Sequence, residues 1–200
     1  MTKRFDHVEM TGDSVRLRPC EAADAEASYA LLEDSVVTRT LLWDGPSDAD
    51  ELAASYALRR QWWKEGTGEY TFAIDALESG AVIGSLGLHL PDGPQEASVG
   101  YWLGQPFWGR GFATEAVRLA LHFAYRHAGA ARVIAIVFTG NPASRRVLEK
   151  NGFHLEATLA GTRPKRGELL DEWRFSLSKS EWEERDGLYR PTSEVIVPVR

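Results

Sequence analysis

Residues 108–116, WGRGFATEA, carry the strongest chemical signal in this 200-residue sequence. Two glycines, Gly109 and Gly111, sit in a short loop between an extended segment and a strongly amphipathic helix. Such a loop turns backbone N–H groups inward, and the unpaired first donors of the helix add to them. Glycine suits the position because a Cβ hinders both the turn and the close approach of a ligand. The natural guest is a phosphate or pyrophosphate, with Arg110 and Arg118 as sources of positive charge. Two rival phosphate motifs fail on inspection. No G-x-x-x-x-G-K-[ST] string occurs, and Gly109-x-Gly111-x-x ends on Thr114 where a dinucleotide fingerprint needs glycine. The plain alternative is a glycine-bearing loop that only starts a helix.

A second constellation lies at residues 141–153, NPASRRVLEKNGF. Asn141 is a helix N-cap, Pro142 takes the first helical position and Gly152 is a stop signal. Ser144 falls near the start of that helix, and Arg145, Arg146 and Lys150 make it basic. The plain alternative here is a capped surface helix with a solvated charged face.

The elements that must position these segments follow from periodicity. Residues 14–18 alternate as a strand, 21–33 are helix-like, and 43–47 (WDGPS) form a turn. Ser47 is the expected N-cap of a second helix running to about Lys64. Residues 70–75, 81–90 and 98–103 read as an antiparallel meander, separated by the turns LESG and PDGPQ. A helix over 111–127 has an apolar face, residues 132–138 (RVIAIVF) read as a buried strand, and a helix spans roughly 142–151. Strands at 153–159 and 169–177 follow. Residues 1–13 are polar and read as a loosely held leader, and 14–182 as one domain. The tail, 183–200, ends in EVIVPV, which is an edge strand, a loose end or a strand pairing across a homodimer. The expected fold class is α/β (α+β), with a mixed, mainly antiparallel sheet flanked by helices.

Composition excludes several functions. The chain is 44% hydrophobic and 26% charged, as a globular domain is. A net charge of −6 gives no general pull toward nucleic acid or anionic membrane, so an anionic ligand needs a local arrangement. No run approaches the ~18 apolar residues of a membrane span. MTKRFDHVEM lacks an apolar signal core, and the single cysteine, Cys20, suits a reducing cytoplasm.

Taken together, WGRGFATEA and N-x-x-S-x-x-V-L-x-K-x-G-F resemble the GNAT acetyltransferase superfamily over roughly residues 14–182. GYWLGQPFWGRGFATEA and the ending RGELLDEWRFSL, with Trp182 after it, look like the RimJ/RimL branch. The family's loop reads [QR]-x-x-G-x-[GA]; here Trp108 replaces its first residue, as in that branch. The resemblance implies a GNAT-like fold and transfer of an acyl group, most simply acetyl, from acetyl-CoA to an amine in one ternary complex, with no metal. It implies pyrophosphate held by the loop of Trp108, Gly109, Arg110, Gly111, Ala113 and Thr114. Pantetheine and the thioester carbonyl would lie along Tyr101, Trp102 and Leu103, with Asn141 and Ser144 on the pantetheine arm. Ser144 then becomes a candidate thiol-side donor, because the family's tyrosine acid falls on Leu148.

The general base is a gap. Ser98 stands where the branch places glutamate. Glu96 faces the same side of an unbulged strand and is a candidate base, as is His89; the plain readings are a solvated turn residue and a strand-end histidine. Base catalysis through water is the remaining route. At pH 7 an α-amine of pKa ~8 is about one-tenth neutral and a lysine of ~10.4 about one part in 2,500, which favours a peptide N-terminus or small amine. The acceptor groove is expected along Trp43, Trp62, Trp63, Tyr56, Arg163 and Arg166, with core packing claiming Trp102 and Trp173. Asp171 has a structural or a substrate role. Two alternatives stand beside this reading: a non-catalytic acyl-CoA-binding module, and transfer of succinyl or another acyl group.

Overall fold

Alternation and continuous apolar runs produce a nine-stranded sheet in a computed structural model that describes residues 3–33, 35–90 and 96–199. The expected PDGPQ turn, 91–95, lies outside the described residues. The strands are β1 (Phe5–Thr11), β2 (Val15–Pro19), β3 (Glu69–Ala76), β4 (Val82–His89), β5 (Glu96–Leu103), β6 (Arg132–Phe138), β7 (His154–Lys165), β8 (Glu168–Ser178) and β9 (Ser193–Pro198). Their spatial order is β7-β8-β6-β5-β4-β3-β2-β1-β9, with only β5 and β6 parallel. The α/β fold class with a mainly antiparallel sheet is therefore the one observed.

The helices are α1 (Ala25–Leu32), α2 (Ser35–Arg39), α3 (Ala49–Glu65), α4 (Phe112–His122), α5 (Pro142–Lys150) and α6 (Lys179–Asp186). The cap of α3 is Asp48, whose side chain accepts from Glu51 N–H at 2.7 Å. Ser47, the expected cap, instead bonds the Glu51 carboxylate, so the helix starts one residue later. Beyond α4 the helix continues as a π-helical turn, Phe123–Ala128, ended by Gly129 in the left-handed region.

One face of the sheet packs on α4, where Ala116, Val117, Leu119 and Ala120 are fully buried. An aromatic cluster of Phe5, Trp63, Tyr70, Phe72 and Phe123 continues that core, with ring centroids 4.9–6.3 Å apart. A second core of Cys20, Leu32, Val37, Leu52 and Tyr56 lies under α1 to α3. The tryptophans fully claimed by packing are Trp63 and Trp182, whereas Trp102 and Trp173 are only partly buried.

The start of the chain differs from the loosely held leader that its polarity suggests. Phe5, Val8 and Met10 are buried, and β9 pairs with β1 from Phe5↔Pro198 to Thr11↔Ser193. A register shift between Phe5 and His7 breaks the period of two and hides the strand in the sequence. Of the alternatives for EVIVPV, the chain uses it as its own edge strand. His122, His127 and Glu194 help pin it: both imidazole Nε2 atoms lie 3.1 Å from Glu194 Oε2.

Candidate active site

The site begins where two strands part. β5 and β6 are paired only at Glu96↔Arg132, Ala97↔Val133 and Ser98↔Ile134. After that β5 stays with β4 as far as Leu103↔Gly84, and β6 stays with β8 as far as Phe138↔Glu172. The two ladders diverge, and a wedge opens along Tyr101, Trp102 and Leu103.

The glycine loop closes one side of that wedge. Trp108 Nε1 donates to the Leu103 carbonyl at 2.7 Å, which pins the loop to the end of β5. Gly109 and Gly111 have φ of 75° and 89°, a region that costs other residues roughly 1–2 kcal/mol. Gly111 is the N-cap of α4 and no side chain caps that helix. Its first intrahelical bond is Glu115 N–H to Gly111 C=O at 3.1 Å, so the amides of residues 112–114 have no acceptor within the helix. Glu115 fixes the direction of the helix by accepting from Ser14 N–H at 3.1 Å and from the Ser14 hydroxyl.

Opposite lies the start of α5. Asn141 Oδ1 caps it by accepting from Ser144 N–H at 3.1 Å. Buried Asn151 ties its far end to α4, donating to Thr114 C=O at 3.1 Å and Val147 C=O at 2.9 Å. Ser144 Oγ lies 2.8 Å from the Tyr101 hydroxyl, bridging α5 and β5.

Two cavities fill the wedge. One, of about 320 Å3, is lined by Tyr101 to Leu103, Trp108, Gly109, Gly111 to Thr114, Asn141 and Ser144. The other, of about 400 Å3, lies on the side of α3 and takes in Trp43, Tyr56, Arg59, Ser98 and Phe138. They share Thr40, Leu41, Tyr101 and Trp102, so a molecule in one can meet a molecule in the other. An uncapped helix start, two left-handed glycines and an open strand edge fit a long ligand with an anionic end.

Residues 14–154 match the family model for the acetyltransferase (GNAT) domain. The chain belongs to the GNAT acetyltransferase family. The uncharacterised N-acetyltransferase YoaA of Bacillus subtilis is 28% identical over 168 residues, covering 84% of this chain and 94% of its own. Among solved structures, Mycobacterium smegmatis RimJ in complex with CoA-disulfide superposes with a TM-score of 0.76 at 23% identity, covering 90% of this chain and 87% of that one. Spermidine N-acetyltransferase from Vibrio cholerae, in complex with CoA and spermine, gives 0.74 at 20% identity, covering 84% and 97%. At such identities the structural likeness is one of fold. The general activity of the family, acyl-CoA-dependent N-acetyl transfer, is the activity of this chain.

Within this GNAT fold several expected residues sit outside both cavities. Glu96 pairs with Arg174 (3.2 Å) and Arg132 (3.4 Å), and His89 pairs with Glu69 at 2.5 Å. Arg110 turns away from the glycine loop's concave side, gripping Glu78 with both bonds at 2.7 Å and lying over Phe112. Arg118 lies over the Tyr189 ring. Trp62 stacks under Arg59, Arg163 binds Glu172 at 3.1 Å, and Arg166 binds Asp44 at 3.0 Å. Asp171 Oδ1 accepts from Gly161 N–H at 2.7 Å, a bond within the β7–β8 hairpin. Trp43, Tyr56 and Ser98 do line the larger cavity.

The cations at the smaller cavity are Arg146 and Lys150 of α5, neither with an acidic partner among the described residues. Their signal was the basic run RRVLEK, whose helical spacing puts positions 146 and 150 on one face. Burial pushes the Tyr101 hydroxyl well above the usual tyrosine range, so it stays protonated. Tyr56 is raised in the same way.

Proposed function

We propose that this chain moves acetyl from acetyl-CoA directly to the amine of a peptide N-terminus or small molecule, in the manner of the RimJ/RimL branch. The observation that carries the reading is the uncapped start of α4 behind two left-handed glycines, beside a strand edge released by the β5–β6 split. The amides of residues 111–114 hold the pyrophosphate, with Arg146 and Lys150 as the nearby cations in place of Arg110. The free edge of Tyr101 to Leu103 and the cap residues Asn141 and Ser144 hold the pantetheine arm. The amine enters from the larger cavity and attacks the thioester carbonyl carbon where the cavities meet. As the C–N bond forms and the C–S bond breaks, the hydrogen-bonded Tyr101 and Ser144 hydroxyls supply a proton to the departing sulfur. Burial keeps the Tyr101 proton in place without making the phenol a stronger acid, so Tyr101 serves the departing sulfur as a hydrogen-bond donor.

No carboxylate or imidazole among the described residues lines the larger cavity, so the amine's proton leaves through water. That favours acceptors of low basicity, which are already partly neutral near pH 7. The test is release of free thiol from acetyl-CoA in the presence of α-amines, with the acetylated product identified by mass spectrometry. Amine-dependent release with an acetylated product is expected. Acetyl-CoA binding with no release for any α-amine would overturn this acceptor class.

A further inference from the structure

The larger cavity is lopsided in charge. The chain has 29 acidic residues against 23 lysines and arginines, yet among the described residues no carboxylate lines this cavity. Among the described residues its one charged lining group is Arg59, on α3. Arg59 Nε donates to Ser55 Oγ at 3.2 Å and its Nη1 to Thr71 Oγ1 at 3.3 Å. Two neutral hydroxyls thus orient the guanidinium without neutralising it. A guanidinium has five N–H donors, so most remain for a ligand. The other walls combine apolar and aromatic side chains, Leu41, Trp43, Tyr56 and Phe138 among them, with the neutral hydroxyls of Thr40, Ser55, Thr71, Ser85 and Ser98.

Building on the function proposed above, we infer that Arg59 is an anion subsite and that the acceptor is a small amine carrying a carboxylate, such as an amino acid with an apolar side chain. Arg59 takes the carboxylate in a two-pronged pair, which also offsets the charge that makes a free amino acid's amine more basic than a peptide N-terminus; the aromatic walls take the side chain and the amine is left pointing at the seam by Tyr101 and Trp102. A volume of about 400 Å3 sits at the small end of small-molecule sites. A polyamine fits poorly, since its second ammonium would meet a guanidinium and, among the described residues, no carboxylate.

The test compares leucine with leucinamide, and phenylalanine with phenylalaninamide, at saturating acetyl-CoA. The readout is the ratio of kcat/KM for acid over amide in wild type, divided by the same ratio in Arg59→Gln. This quotient cancels the differing basicity of the amines. Loss of a charge-assisted pair predicts a quotient of roughly ten to a hundred, with Arg59→Lys recovering part of the selectivity. A quotient near one, or faster turnover of putrescine than of either amino acid, would overturn the anion subsite while leaving acetyl transfer intact. No thiol release with any of these amines would overturn both. The KM for acetyl-CoA in each variant reports whether the fold is preserved.

Discussion

Replacing Gly111 by alanine separates what the glycine loop does for the fold from what it does for the ligand. Gly111 has φ 89° and ψ −13°, and a Cβ built on it meets nothing within 4 Å. The cost is therefore backbone strain without a clash, about 1–2 kcal/mol. Gly129 is a matched control: its φ is 88° and ψ 21°, a built Cβ also meets nothing, and it lines neither cavity. Both variants should lose similar stability, about 2–8 °C in Tm at ~2–4 °C per kcal/mol for a chain of this size. Calorimetric titration with acetyl-CoA should then tell them apart. If Gly111→Ala swings the next amides out of line, one charge-assisted hydrogen bond of about 1.5–3 kcal/mol is lost and affinity falls at least tenfold. Gly129→Ala should bind within about twofold of wild type. Equal affinities in two variants that are equally destabilised would refute the assignment of the anion to this loop.

Four further outcomes follow from the structure. Alanine at both Arg146 and Lys150, which are exposed, should weaken acetyl-CoA binding by no more than about 2 kcal/mol, and the loss should shrink at high ionic strength. Titration at two salt concentrations checks it. Tyr101→Phe should lower kcat at least tenfold, and Ser144→Ala combined with it should add less than its separate effect, because the two hydroxyls are bonded at 2.8 Å. Burial raises the Tyr101 pKa, so wild-type kcat should show no loss from this group as pH rises to about 10. Burial also lowers the His122 pKa, against an opposing pull from Glu194. The folded state then binds fewer protons than the unfolded one, and stability should fall as pH drops below the unfolded value of about 6.5. Melting curves across that range, with a flatter response in His122→Gln, are the check.

What could be read from the sequence was local. The glycine loop, the Asn141 cap and the apolar run at 132–138 are written in neighbouring residues, and each forms as its residue types require. Pairings between distant segments were not legible. Nothing near Phe5 announces Pro198, and the bulge after Phe5 scrambles the alternation that would mark β1. The β7–β8 hairpin runs on to Lys165 and Glu168 through AGTRPKRGE, where most residues on both faces are exposed and no apolar period exists. Charge direction was equally hidden. Arg110 lies within the loop, yet Glu78 from a different turn draws it away, while Arg146 and Lys150 reach the cavity from another helix. Glu96 opens β5 itself, two residues before the expected 98–103 strand, and two arginines arriving from β6 and β8 hold its carboxylate.

We propose that acetyl-CoA lies along the wedge opened by the β5–β6 split, with its pyrophosphate on the amides of residues 111–114 at the uncapped start of α4. Amide-resolved NMR of 15N-labelled protein titrated with acetyl-CoA tests it most directly. The largest shifts should fall on residues 111–114, on 101–103 and at the Asn141 cap. Saturable shifts confined to other elements, with these amides unmoved, would contradict it.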